Sequence, residues 1–239
     1  MLLSPPRSKF RIYLDSTLFN DPIPAGQNGA ATTTTANLNF ILKSMQVTQE
    51  FYQNRLQVYQ TASITAPATC VDFSPGALTV ATADIIIFVR YNTDASLSYG
   101  ATGKSCQYFP GTATVGSPDA TLQVGRPTVG RIIFNTYQLV DQESSLTNRL
   151  FQSLTSTALH ETMHILGFDS TLFSTYLDPA TGAPYIDPGT SNVYTSGPKV
   201  TGTVNANRPA TSLLVTPYVL AWAKSFFNCP TAVGMPLEN

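Results

Sequence analysis

The only two histidines of this chain stand four residues apart with a glutamate directly after the first, in the segment His160-Glu161-Thr162-Met163-His164. No other feature constrains the fold as tightly. Side chains at i and i+4 share a face on an α-helix, so both imidazoles can reach one zinc ion only if this stretch is helical and firmly seated. Glu161 then stands beside them to take a proton from a water held on the metal. Zinc lowers the pKa of such a water and polarises a peptide carbonyl, and the carboxylate can pass the proton to the leaving amine. The chemistry implied is peptide-bond hydrolysis. Shuffling this composition produces the pattern with a chance of roughly one in 7000, which weighs against the bland reading of two helical histidines satisfied in a core.

The elements around the motif read as a mixed sheet with helices. Phe10-Arg11-Ile12-Tyr13-Leu14 alternates and reads as an opening strand. Residues 26–35 form a small-residue loop. Over residues 37–59, Leu38, Ile41, Leu42, Met45, Val47, Phe51, Leu56 and Val58 recur at helical spacing with no Gly or Pro, predicting a long helix on a sheet. Residues 84–91 and 129–134 are β-branched runs of central-strand character, the second introduced by Gly125-Arg126-Pro127. Residues 146–166 predict the motif helix, with Asp141 or Ser144 able to cap its start and Gly167 placed to end it. Residues 178–209 are rich in Pro, Gly, Thr and Ser and read as a long irregular region. Pro217 then opens a short helix over residues 218–227.

Composition removes several functional classes. With 13 basic and 14 acidic side chains the net charge is −1, and no basic cluster exists, so a nucleic-acid or anionic-membrane footprint is absent. The longest strongly apolar run, Ile85-Ile86-Ile87-Phe88-Val89, is far too short to span a bilayer. At the amino end, prolines and Arg7 interrupt the sequence before an apolar segment of signal-peptide length, yet a Thr/Ser-rich composition with 11% charged residues suits an exported protein. Cys70, Cys106 and Cys229 include no Cys-x-x-Cys pair. Two readings stay open: a Cys70–Cys106 disulfide with Cys229 seeking a partner outside the chain, or three buried thiols.

The residues after the motif narrow the class. Gly167 lies three residues beyond His164, as the metzincin pattern H-E-x-x-H-x-x-G-x-x-H requires, but the next expected ligand position is Ser170. The stretch Ala158-Leu159-His160-Glu161-Thr162-Met163-His164-Ile165-Leu166-Gly167-Phe168, followed by Leu172-Phe173, resembles the active-site helix of the leishmanolysin-type metallopeptidases. Thr216-Pro217-Tyr218-Val219, Phe227-Asn228-Cys229-Pro230 and Gly234-Met235-Pro236-Leu237-Glu238-Asn239 resemble that family's approach to its third ligand. Gly125-Arg126-Pro127-Thr128-Val129-Gly130 resembles its strand beside the substrate cleft, residues 84–89 its central strand, and Cys106-Gln107 the loop that follows. Arg11-Ile12 and the helix around residues 46–58 are similar to the start of its mature domain.

The resemblance implies an α+β, metzincin-like zinc protease domain: a twisted mixed sheet with two long helices, an irregular region and a short helix. Residues 1–168 would form the subdomain carrying the motif, and residues 169–239 the start of a second, incomplete one. It implies Zn2+ held by His160 and His164, with a third histidine expected beyond Asn239. Glu161 would activate the water, protein or peptide substrates would be cleaved, and the setting would be secreted or cell-surface. Asp169, Asp178, Asp187 and Glu238 are the carboxylates that could substitute for the third ligand, each of them more at home as a turn or surface residue. Val129 and Gly130 are expected on an edge strand that pairs with an extended peptide, against the alternative of an interior strand. Met163 reads as core-facing, and Trp222, Phe226 and Phe227 as helix packing. The rival function is a degenerate relative serving in surface adhesion or binding.

Overall fold

The run 85–89 offers no polar alternate residue to turn toward water, so the strand it forms needs cover on both faces. A computed structural model describes residues 7–20, 33–71, 73–76, 78–109, 125–140, 145–169, 172–173, 176–178, 183–186, 199–202 and 211–237. The chain divides into two units, Met1–Gly167 and Phe168–Asn239.

The first unit carries strands β1 (Ser8–Lys9), β2 (Ile12–Asp15), β3 (Gln57–Val58), β4 (Ile64–Thr65), β5 (Thr79–Val80), β6 (Ile85–Asn92), β7 (Ala101–Tyr108) and β8 (Pro127–Asn135). Its helices are α1 (Thr35–Arg55), α2 (Thr136–Leu139) and α3 (Asn148–Ile165). The main sheet has the order β2-β6-β8-β7, with β2, β6 and β8 parallel and β7 antiparallel at one end. Alternate side chains of β6 feed two cores. Ile85, Ile87 and Val89 join Ile132 and Phe134 under α1 and α3, against Ile41, Met45, Leu154, Ala158 and Ile165. Ile86 and Phe88 join Val129 on the opposite face, covered by Ile64, Ala66, Cys70 and Ala83. Both faces are therefore sealed, as the uninterrupted apolar run requires.

Two polar ties fix this frame. Asp84 is fully buried and accepts two hydrogen bonds from the Arg11 guanidinium at 2.9 Å each, one from the Arg11 N–H at 3.0 Å and one from the Thr61 N–H at 2.9 Å. A disulfide joins Cys70 to Cys106, with Cα atoms 4.9 Å apart, linking the cover of the second core to β7. Cys229 is free. Of the two cysteine readings, the disulfide is the one the structure adopts.

Several expectations need correction. The first helix ends at Arg55, not at residue 59, because Leu56 turns to an extended conformation and Gln57–Val58 pair with β1. Helical spacing continued past the point where strand pairing took over. The motif helix is capped by Thr147, whose hydroxyl accepts from the Leu150 N–H at 3.2 Å; Asp141 and Ser144 lie outside the described residues. Most of the loop at residues 26–35 also lies outside them, and Thr35 is already helical. Cys106 and Gln107 belong to strand β7 and not to a loop.

The second unit contains β9 (Lys199–Gly202), β10 (Thr211–Leu214) and β11 (Met235–Pro236) in an antiparallel sheet of order β11-β10-β9, with helix α4 (Pro217–Phe226). β9 therefore lies inside the stretch expected to be irregular. Thr216 caps α4, and Pro217 stands at its start as anticipated. The aromatic residues at the end of this helix pack on one another and not into a core: Trp222 stacks on Phe226 at 4.5 Å and Phe227 meets Phe226 edge-on at 5.1 Å, while the three are 51%, 65% and 49% exposed and the buried residue of α4 is Ala223. Among the described residues no helix is long and apolar enough to cross a membrane.

Candidate metal centre

Helix α3 owes its position to a stripe of buried residues, Leu154, Ala158, Thr162 and Ile165, at spacings of four, four and three. The strands beneath it are shaped to receive it. A Cβ on Gly130 of β8 would run into the Ile165 side chain, and a Cβ on Gly103 of β7 would run into the Glu161 carbonyl. Glycines at these two strand positions let the helix backbone sit almost directly on the sheet.

That close seat is reinforced along the turn carrying the motif. The Tyr52 hydroxyl of α1 donates to the Leu159 carbonyl at 2.9 Å, and burial pushes its pKa up to about 12. The Ser105 hydroxyl of β7 donates to the Ile165 carbonyl at 2.8 Å, satisfying an acceptor in the last helical turn. Gly167 adopts φ +109°, a left-handed conformation that ends the helix, and its N–H bonds the His164 carbonyl at 3.1 Å.

With the helix so held, His160 and His164 bring their Nε2 atoms to 3.1 Å from one another, their rings crossing at 85°. Two nitrogens bound to one tetrahedral zinc at about 2.0–2.1 Å would stand about 3.3 Å apart. The pair thus already has the spacing of two ligands on one ion. Glu161 is nearly enclosed, its side chain 12% exposed. Its Oε2 accepts the Gly103 N–H at 2.6 Å, while Oε1 stands 3.9 Å from His160 Nε2. A carboxylate held at one oxygen by a backbone donor, with the other beside this histidine pair, is placed to accept a proton there.

Imidazole pairs suit zinc, so the donors present fit that ion as two of its ligands. Among the described residues no group of three or more His, Cys, Asp or Glu could hold a metal. Of the carboxylates weighed as a third ligand, Asp169 and Asp178 belong to the second unit, and Asp187 and Glu238 lie outside the described residues, as does Ser170. Met163 is not core-facing. It is 43% exposed, because the buried stripe of α3 passes through Thr162 and Ile165 instead.

The expectation for Val129 and Gly130 is overturned. β8 lies between β6 and β7, all nine of its residues are buried, and it has no free edge to offer a peptide. Among the described residues the strand that ends the sheet on the β8 side is β7, and β2 ends it on the other. Gly103, Ser105 and Tyr52 escaped the sequence reading. A glycine inside a strand marks a close backbone approach, but that signal at Gly103 is readable only once its strand is recognised.

Beside His160 and Glu161 opens a cleft of about 620 Å3, walled by Tyr99 to Ala101 where β7 begins, by Gln138 and Leu139 of α2, and by Ser156 and Thr157 of α3. Comparison with known proteins gives one result for the whole region: the profile of the family described as Leishmanolysin (Peptidase_M8) matches residues 36–239. No curated protein matches the chain.

Proposed function

Given that the chain belongs to the leishmanolysin family, a family of zinc metallopeptidases, we propose that it is a zinc-dependent endopeptidase whose general base is Glu161. The observation that carries this reading is the convergence of His160 and His164 Nε2 at 3.1 Å beside a carboxylate anchored to the sheet. His160 and His164 would hold the ion as two of its ligands. Zinc, when bound, supplies Lewis acidity toward the peptide carbonyl and lowers the pKa of water.

The rest is done by the chain itself. Gly103 N–H fixes Glu161 Oε2, so the carboxylate keeps one orientation, and Oε1 receives the proton of the attacking water and returns it to the leaving nitrogen. An extended substrate would pair with β7, the end strand of the sheet that contacts Glu161, through backbone hydrogen bonds. The antiparallel end strand, the helix beneath it and the glycine turn at Gly167 support a metzincin-like arrangement. The disulfide supports a secreted or cell-surface setting, where oxidising conditions preserve such bonds.

The test is cleavage of a quenched fluorescent peptide library by the zinc-loaded protein and by its Glu161→Gln variant. Chelation should abolish cleavage, and the variant should lose about 10²–10⁴-fold in kcat/KM while binding the same amount of zinc. Cleavage indifferent to both changes would refute the assignment. A protein that binds zinc and peptides without cleaving would fit the rival reading of a binding or adhesive relative.

A further inference from the structure

Strand alternation gathers three cations on the face of the main sheet turned away from α3. Phe88 lies in the second core, so Arg90, two residues further along β6, projects from the same face. Arg131 of β8 pairs with Phe88 on one side and with Lys104 of β7 on the other, and directly paired residues share a face. The linear sequence hides this grouping, because each cation comes from a different strand. We propose that Arg90 and Lys104 form a binding site for a small divalent oxyanion, a sulfate or phosphate group. The site is independent of the endopeptidase reading and lies on the other side of the sheet from the histidine pair.

Burial makes Arg90 the informative member. It is only 7% exposed, yet its Nε is sealed from solvent and has no hydrogen-bond partner. It belongs to neither of the ion pairs found among the described residues, Arg11 with Asp84 and His160 with Glu161. Its guanidinium lies over the Phe73 ring, 4.9 Å from the centroid. A ring face attracts a cation but supplies no oxygen to its N–H groups. Burying a charge without a countercharge is costly, so a guanidinium held in this way calls for an anion beside it. Arg131 already has a partner, and the site is therefore assigned to the other two cations.

Geometry and charge narrow the ligand. Two strand spacings across and two residues along put the Arg90 and Lys104 Cα atoms about 12 Å apart, within the combined reach of two long side chains and one ion. Lys104 is exposed and leaves the approach open from solvent. The planar guanidinium grips two oxygens of one group, and the ammonium adds a point charge. Two positive charges match a divalent ion, while a carboxylate neutralises only one of them.

The experiment is equilibrium dialysis of the zinc-loaded protein against radiolabelled sulfate at fixed ionic strength in chloride, with unlabelled phosphate and acetate as competitors. One sulfate per chain should bind, phosphate should compete, and acetate should compete about tenfold less well. Arg90→Gln should abolish the binding. Lys104→Glu, at an exposed position where folding is not at stake, should weaken it about tenfold or more while zinc content stays unchanged. A preference for sulfate over phosphate, or the reverse, supports the site and identifies the group it takes. No saturable sulfate binding overturns the proposal. So does binding that survives both substitutions, binding that follows zinc content instead of them, or acetate competing as well as phosphate.

Discussion

Gly103→Ala is the perturbation that most directly probes how the sheet holds the motif helix. An added Cβ would lie 2.8 Å from the Glu161 carbonyl carbon and 3.2 Å from its Cα, and closer still to the carbonyl oxygen. These are backbone atoms of α3, so no rotamer change relieves the contact. Restoring ordinary van der Waals separation requires moving β7 and α3 apart by roughly 1 Å. Overpacking of this kind costs about 1–3 kcal/mol. The same shift would stretch the 2.6 Å bond from Gly103 N–H to Glu161 beyond hydrogen-bonding range, and a bond to a charged acceptor is worth about 1.5–3 kcal/mol. Together the loss should be about 2.5–6 kcal/mol, against a total of about 5–15 kcal/mol for a typical domain. In thermal unfolding followed by circular dichroism this corresponds to a Tm drop of about 5–24 °C. Lys104→Ala, at the exposed neighbouring position, should stay within about 0.5 kcal/mol of the parent. A Gly103→Ala protein as stable as the Lys104→Ala control would refute the idea that helix and strand backbones are in contact here.

Two further outcomes follow from the frame around the site. Burial alone would raise the Asp84 carboxyl, but its hydrogen bonds from the Arg11 side chain and from the Thr61 and Arg11 N–H groups bring it below its ordinary value. Its contribution is therefore present above the unfolded carboxylate pKa of about 3.9 and lost as pH falls through the lower folded value. Urea unfolding measured down that acid range should show a falling stability that Asp84→Asn flattens; an unchanged pH slope would contradict the pairing. Reducing the disulfide frees a loop spanning a sequence separation of 36, for which chain entropy gives about 3–4 kcal/mol of destabilisation. A Cys70→Ala/Cys106→Ala protein with an unchanged urea midpoint would contradict that account.

The parts of the structure that were legible from sequence are those with a strong local signal. Residues 85–89 could only be a doubly covered strand, and His160 with His164 required a helix. β7 was invisible for the opposite reason. Its sequence, ATGKSCQY, has neither β-branched enrichment nor apolar alternation, because its position is dictated by contacts with α3 and by the disulfide. Missing it made β8 look like the end of the sheet and sent the peptide-binding expectation to Val129 and Gly130. The glycine at 130 serves helix packing instead. Tyr52 and Ser105 act through hydroxyls on main-chain carbonyls more than fifty residues away in sequence, and local pattern carries no record of such partners.

A strand that closes a sheet while leaving backbone groups available is also a template for self-association, since any extended chain, including another copy, can add to it. β7 limits that hazard, and its Gly103 N–H is already taken by Glu161. Register shifts between Ser105 and Gln107 and between Gln107 and Tyr108 break the flat edge after a few residues, and exposed Lys104 interrupts it with charge. What remains unbroken, residues 101–105 with one lysine among them, is a short template that offers little to a growing stack of strands.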